Sequence, residues 1–350
     1  MRAHSIGLLA ALLLSAAPAS AALEQGAAAQ QPAPHRGIGL SEVSVPLSRR
    51  IDFTSQVNGQ SYSLLIALPT TPAPPGGYPV IYVLDGGAYF GSATDAQRGT
   101  GLNLIVVAIS YPFDDAQFIA KTLKTPVSAT GEVSLLQIAP AIQATRTLDL
   151  TPPTAAAFMA AQKSPGMSKL AVGGADAFLK VIETEIKPKV HALLPVNTAN
   201  EALYGHSLGG LAVLRALFTE PAAFRSFIAA SPSIWWNDRS ILADEAAFSA
   251  KVTSGNVAPR VLITVGGLEQ TPTPVTPGFP MKQDEVDAMV RSARMVDNAV
   301  ELGARLKALK GGRGYEVQSV VFADETHGSV EQAAVGRGVN FAAKRQALKP

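Results

Sequence analysis

An α/β fold, with a mostly parallel central sheet and helices on both faces, is what this 350-residue chain predicts. Three features of the sequence point to it. Two continuous apolar runs of strand length, YPVIYVLD from Tyr78 and LIVVAISY from Leu104, lack the alternation of a half-exposed strand. From residue 175 onward, short apolar strands alternate with amphipathic stretches of helical length. Between one such strand and one such helix stands Gly205-His206-Ser207-Leu208-Gly209, a sharp strand-to-helix turn.

Taken in order, residues 1–21 (MRAHSIGLLAALLLSAAPASA) carry a basic start, an apolar stretch and a small-residue cleavage site, the pattern of a secretory signal peptide. Residues 22–44 are rich in Ala, Gln, Pro and Gly and read as a flexible leader, leaving 45–350 as a single domain. IDFTSQV and YSLLIALP flank Asn58-Gly59, a hairpin turn signal. The YPVIYVLD strand ends in Asp85-Gly86-Gly87, and LIVVAISY follows. Beyond come a helix over 175–190, the strand EALY, a helix over 208–219 and the strands FRSFIAAS and RVLITVGG. A helix over 282–309, the strand YEVQSVVF and a last helix after 328 complete the domain. Residues 112–172 show no clear period and read as a lid-like insertion.

Composition narrows the function. Lys+Arg 29 against Asp+Glu 27 gives a net charge of +2, no electrostatic footprint for nucleic acid. With no cysteine, disulfides, thiolate metal sites, a cysteine nucleophile and cysteine lipidation are excluded. The histidines are His4, His35, His191, His206 and His327, without an HExxH pair, so no histidine-rich metal site is expected, and no metal or organic cofactor is implied elsewhere in the sequence. No later stretch has the run of about 20 apolar residues a membrane helix needs, so no stable membrane anchor is expected and the mature protein should be periplasmic or extracellular.

The chemistry concentrates at Ser207. Small residues at Gly205 and Gly209 let strand and helix approach, holding the serine Oγ clear of the sheet as a nucleophile. The N–H of Leu208 at the helix start would face a developing oxyanion, and Gly86 or Gly87 would supply the second donor. A serine hydroxyl needs a general base, and in such folds the order is serine, acid, histidine. His327 alone follows Ser207 among the histidines. Glu269, in the Gly-Gly loop that ends RVLITV, stands where functional groups gather and is the expected acid. Asp297 and Asp238 are the reserves, with a serine–histidine dyad as the remaining alternative.

Five blocks together, YPVIYVLDGGAYF, RTLDLTP (Arg146 to Pro152), GHSLGG, SPSIWW (Ser231 to Trp236) and ETHGS (Glu325 to Ser329), resemble the esterase-D-like branch of the α/β-hydrolases, the Putative esterase family. The resemblance spans roughly 45–345 and is strongest to its siderophore-esterase-like subgroup. It implies Ser207 as nucleophile, His327 as base and Glu269 as acid, with Leu208 and Gly86 or Gly87 as backbone donors. Gly87 replaces a polar residue of many relatives, and 112–145 resembles an enlarged insertion. Trp235 and Trp236 either line a substrate pocket or pack in the core. Arg146 either binds an anionic substrate or pairs with Asp149 to brace its loop.

The resulting expectation is an exported serine carboxylesterase acting on a small-molecule ester or lactone of siderophore type. A feruloyl or acetyl esterase on polysaccharide is the alternative, followed by an acyltransferase and a non-catalytic binding protein on the same scaffold.

Overall fold

In a computed structural model of the chain, residues 45–99, 101–127, 131–162, 166–275 and 281–343 are described. The expected signal peptide (1–21) and leader (22–44) lie outside them. The strands are β1 (Ser48–Thr54), β2 (Ser61–Ala67), β3 (Tyr78–Val83), β4 (Ile105–Ser110), β5 (Val196–His206), β6 (Ser226–Ala230), β7 (Arg260–Gly266) and β8 (Glu316–Phe322). They form one sheet in the order β1-β2-β4-β3-β5-β6-β7-β8. β2 pairs antiparallel with β1 and β4, and every other pairing is parallel.

The apolar runs become strands because both faces of the sheet are covered. Val80 and Tyr82 enter one core, whereas their neighbours Ile81 and Val83 enter the other. β4, β6 and β7 are buried along their whole length, which is why their sequences show no alternation.

The longer helices are α1 (Gly86–Gly99), α2 (Ala116–Leu123), α3 (Leu135–Leu150), α4 (Ala175–Val181), α5 (Leu208–Thr219), α6 (Glu245–Thr253), α7 (Gln283–Ala293), α8 (Met295–Ala308) and α9 (Glu331–Ala343). α1 and α9 pack on one face through Tyr89, Ala93, Val335 and Val339. α5, α7 and α8 pack on the other through Leu211, Leu214, Met289 and Leu302. β3 and β5 are neighbours, yet the chain leaves β3 through α1 on one face and β5 through α5 on the other. This reversal opens a crevice at their carboxyl ends, where ligands bind in open α/β sheets. Among the described residues, no helix is long and apolar enough to cross a membrane.

Three expectations are corrected. The β1–β2 turn is longer than the Asn58-Gly59 signal suggested, with Thr54 opposite Ser61. Ser55 Oγ accepts from Val57 and Asn58 N–H, and Asn58 Oδ1 from Gln60 N–H, which satisfies the wider loop. The expected helix over 282–309 breaks at Arg294, which adopts φ 48 and ψ 44, and Asn298 Nδ2 donates to the Ala293 carbonyl that ends α7. The third concerns the lack of a period in 112–172, whose described residues include the helices α2 and α3 and short helical turns at Ala156–Ala160 and Met167–Lys169. Asp115 caps α2 by accepting from Gln117 N–H, and Ser134 with Gln137 forms a capping box on α3. The helix over 175–190 is borne out as α4 continuing through a π turn, Ile182–Ile186, into Lys187–Leu193, where Pro188 lacks the N–H a regular turn requires.

Candidate active site

β5 ends at His206 and α5 begins at Leu208, so Ser207 alone makes the turn, with φ 60 and ψ −116. That backbone region is costly for a residue with a side chain and persists only where the surroundings impose it. Here Ser207 N–H donates to Ala230 O at 3.0 Å on neighbouring β6, while Ser207 O accepts from Leu211 and Ser233 N–H. Gly205 allows the approach, since a β-carbon there would lie 2.3 Å from the Gly209 carbonyl.

His327 is held by the loop after β8, which hydrogen-bonds to the loop after β7. Gly267 N–H donates to Phe322 O at 2.7 Å and Leu268 N–H to Glu325 O at 2.9 Å. The loops fit because position 266 is glycine: a β-carbon there would stand 2.4 Å from Glu325 O. Within ETHGS, Thr326 N–H donates to Ser329 Oγ at 2.9 Å and closes the turn around the histidine. His327 Nε2 lies 3.0 Å from Ser207 Oγ, and its Nδ1 lies 2.6 Å from Glu269 Oε2. Ser207, His327 and Glu269 are therefore brought together, only 4%, 6% and 4% exposed. Glu269 Oε1 in turn accepts from Ser231 Oγ at 2.5 Å and Gly266 N–H at 2.6 Å.

The reserve acids lie elsewhere. Asp297 accepts from Gln270 and Arg294, and Asp238 stands in the Trp236–Arg239 turn at φ 53. His206 turns away from Ser207 and its Nδ1 meets Tyr89 Oη at 3.1 Å. Burial first, then the His327 ring 4.6 Å away and Arg146, push its pKa well below the usual histidine value. The neutral form of His206 is thus favoured, and unlike His327 it does not reach the serine.

Leu208 and Gly86 are the first residues of α5 and α1, so their N–H groups have no intrahelical acceptor. Gly86 packs on the β4 backbone, whereas Gly87 is exposed beside it. Arg146 does not pair with Asp149. Its guanidinium forks onto Asp85, with Nε to Oδ1 at 2.8 Å and an Nη to Oδ2 at 3.0 Å, and both side chains are buried. Asp85 has φ 54 at the turn into α1, so Arg146 fixes the segment that carries Gly86 and Gly87. Asp149 instead accepts from Tyr62 Oη at 2.8 Å and Tyr111 Oη at 3.0 Å. Trp236 is a core residue: fully buried, it stacks edge-on against Phe158 and donates Nε1–H to Thr154 Oγ1. Trp235 is buried too, its Nε1 without a partner among the described residues.

Sequence reasoning missed Ser231, Ser233 and Asp85. Ser233 Oγ is 3.4 Å from Ser207 Oγ, and Ser231 and Ser233 both lie in the SPSIWW block, where the sequence offers a site role only to the tryptophans. The available signal was position: Ser231 directly follows the β6 strand that neighbours the Ser207 turn. Among the described residues, no group of three or more His, Asp and Glu side chains could hold a metal ion.

The family described as Putative esterase matches residues 163–301. A siderophore triacetylfusarinine C esterase of Aspergillus fumigatus is 36% identical over 281 residues, 76% of this chain and 82% of the relative. The ferri-bacillibactin esterase BesA of Bacillus subtilis is 31% identical over 297 residues, 83% of this chain and 87% of the relative. Among solved structures, the siderophore hydrolase EstB of Aspergillus nidulans superposes with a TM-score of 0.65 at 30% identity, over 89% of this chain and 99% of that one.

Proposed function

This chain belongs to the Putative esterase family of α/β-hydrolases, and from that premise we propose that it is an exported serine carboxylesterase opening ester or lactone bonds of siderophore type through an acyl-enzyme on Ser207. One observation carries the reading: the unbroken line from Ser207 Oγ through His327, 3.0 Å away, to Glu269, 2.6 Å further on.

Ser207 Oγ attacks the ester carbonyl as its proton passes to His327 Nε2. The carbonyl π electrons move onto oxygen, and the resulting oxyanion is met by the N–H of Leu208 and that of Gly86 or Gly87. Glu269 accepts from His327 Nδ1–H, fixing the tautomer and stabilising the imidazolium without taking its proton. Collapse of the intermediate breaks the bond to the alcohol oxygen, which leaves with the proton from Nε2. Water, deprotonated by the same nitrogen, then attacks the acyl carbonyl and restores Ser207. For the substrate class, support comes from the siderophore esters named for the relatives. For export, it comes from the tripartite pattern of residues 1–21.

The test uses the chain from Ala22 and its Ser207→Ala variant with a mixture of a siderophore trilactone, a feruloyl sugar ester and short acyl esters, products being read by mass spectrometry. Trilactone opening that falls on the order of 10³- to 10⁶-fold in the variant is the expected result. Preference for the feruloyl or acetyl ester would move the substrate to polysaccharide. Undiminished turnover by the variant would overturn the mechanism.

A further inference from the structure

We infer that Ser231 is a positioning residue for this reaction, a fourth member of the relay whose hydroxyl orients Glu269 toward His327. The inference rests on the acyl-enzyme reading above.

The Glu269 side chain has no solvent exposure. A carboxylate so placed has lost its hydration and must be repaid by hydrogen bonds. Its Oε2 is taken by His327 Nδ1, which leaves Oε1 to be satisfied from the other side. Two donors converge there, Ser231 Oγ at 2.5 Å and Gly266 N–H at 2.6 Å. Two donors on one oxygen fix the rotation of the carboxylate plane, and that rotation decides whether Oε2 faces the histidine. Gly266 N–H belongs to the main chain, so Ser231 is the only side chain that donates to Oε1 among the described residues.

The backbone at Ser231 gives a second, independent sign. It holds φ 42 at the end of β6, with no exposure, and its N–H donates to Thr264 O at 2.7 Å on β7. Glycine suits such a conformation and serine does not. A strained residue kept at a site, where an easier one would serve the turn, points to its side chain. The neighbouring strand ends thus repeat one device. β5 is followed by Ser207 at φ 60, aimed at one ring nitrogen of His327, and β6 by Ser231 at φ 42, aimed at the carboxylate behind the other.

The experiment compares Ser231→Ala and Ser231→Gly, each alone and in a Glu269→Ala background, by steady-state kinetics, thermal melting and proton NMR of His327 Nδ1–H. Losing a hydrogen bond to a charged acceptor should lower kcat about tenfold to a hundredfold with KM unchanged. The low-field Nδ1–H resonance should move upfield in both variants. In the Glu269→Ala background neither substitution should lower kcat further. Ser231→Gly should lose as much kcat as Ser231→Ala while melting higher, because glycine relieves the strain without restoring the donor. A Ser231→Gly enzyme with wild-type kcat and an unmoved resonance would overturn the inference and leave the acyl-enzyme reading standing, provided Ser207→Ala is inactive. An equal loss of kcat with and without Glu269 would overturn it too, by making Ser231 merely structural. Activity surviving in Ser207→Ala would overturn both.

Discussion

Two buried carboxylates hold this molecule together at different places and in different ways. Glu269, after β7, is surrounded by donors on both oxygens: a serine hydroxyl and a backbone N–H on one, the His327 ring on the other. Asp149, on α3, accepts among the described residues from the hydroxyls of Tyr62 and Tyr111, both on Oδ2. Burial, only partly offset by those two hydroxyls, raises its pKa to about 6. The difference teaches what each is for. Glu269 sits in the turn after β7 and faces His327, the group that would become cationic in the proposed reaction. Asp149 faces neutral groups and ties the 112–172 segment to β2 and to the residue that follows β4.

The comparison predicts first that Glu269→Gln is a defect of chemistry rather than folding. An amide keeps the shape but misdirects the His327 tautomer, so kcat should fall about 10²- to 10⁴-fold. Melting temperature should change little. Steady-state kinetics beside calorimetry would test it, and wild-type kcat would mean that Ser207 and His327 act as a dyad.

Arg146→Met should do the reverse and act on the fold first. It leaves the Asp85 carboxylate buried and unpaired, a loss of about 3–5 kcal/mol seen as lower stability to denaturant. Adding Asp85→Asn should recover most of that loss, because no orphan charge remains. If the single variant melted like wild type, the pair would not be what anchors α3 to the turn before α1.

These two regions also differ in how much of them can be read from sequence. The strand ends could be read because their signals are local. Apolar runs mark β3, β4, β6 and β7, GxSxG marks the turn, and position after a strand marks Glu269. α1 and α3 could not, because their buried faces are small or polar. α1 buries Gly86, Tyr89, Ala93, Thr94 and Gln97, a helical spacing almost without hydrophobicity. Among the described residues, α3 buries Thr145, Arg146, Thr147 and Asp149 beside only Ala141 and Leu150, and carries Pro140 inside it. Arg146 and Asp149 are close in sequence and so looked like partners, yet each finds its partner on the sheet side of the molecule. Ser231 escaped for a similar reason: its role depends on an acceptor 38 positions away.

A smaller effect concerns pH. Folding raises the Asp149 carboxyl from 3.8 to about 6, so the fold favours its protonated form. That contribution is fully present below about pH 4 and is lost as pH rises through about 6, a change of about 2–3 kcal/mol. Asp149→Asn should remove this slope. Urea unfolding of both proteins across that window checks it, and parallel curves would mean that the carboxyl stays charged throughout.

The smallest effect should come from Tyr62→Phe, and its pH dependence sharpens the contrast between the two carboxylates. The ring remains, stacked on Phe178, while one donor to Asp149 and the acceptor of Asn58 Nδ2–H are lost. Above pH 6 that donor serves a charged acceptor, worth about 1.5–3 kcal/mol, whereas in acid it serves a neutral one, worth about 0.5–1.5 kcal/mol. The cost of the substitution should therefore shrink as pH falls through the Asp149 titration, and should show no such trend in the Asp149→Asn background. Equal cost at both ends of the range would mean that Tyr62 serves Asn58 and the β1–β2 turn more than it serves Asp149. kcat should be unchanged throughout, since the tyrosine touches the insertion and not the Ser207 turn.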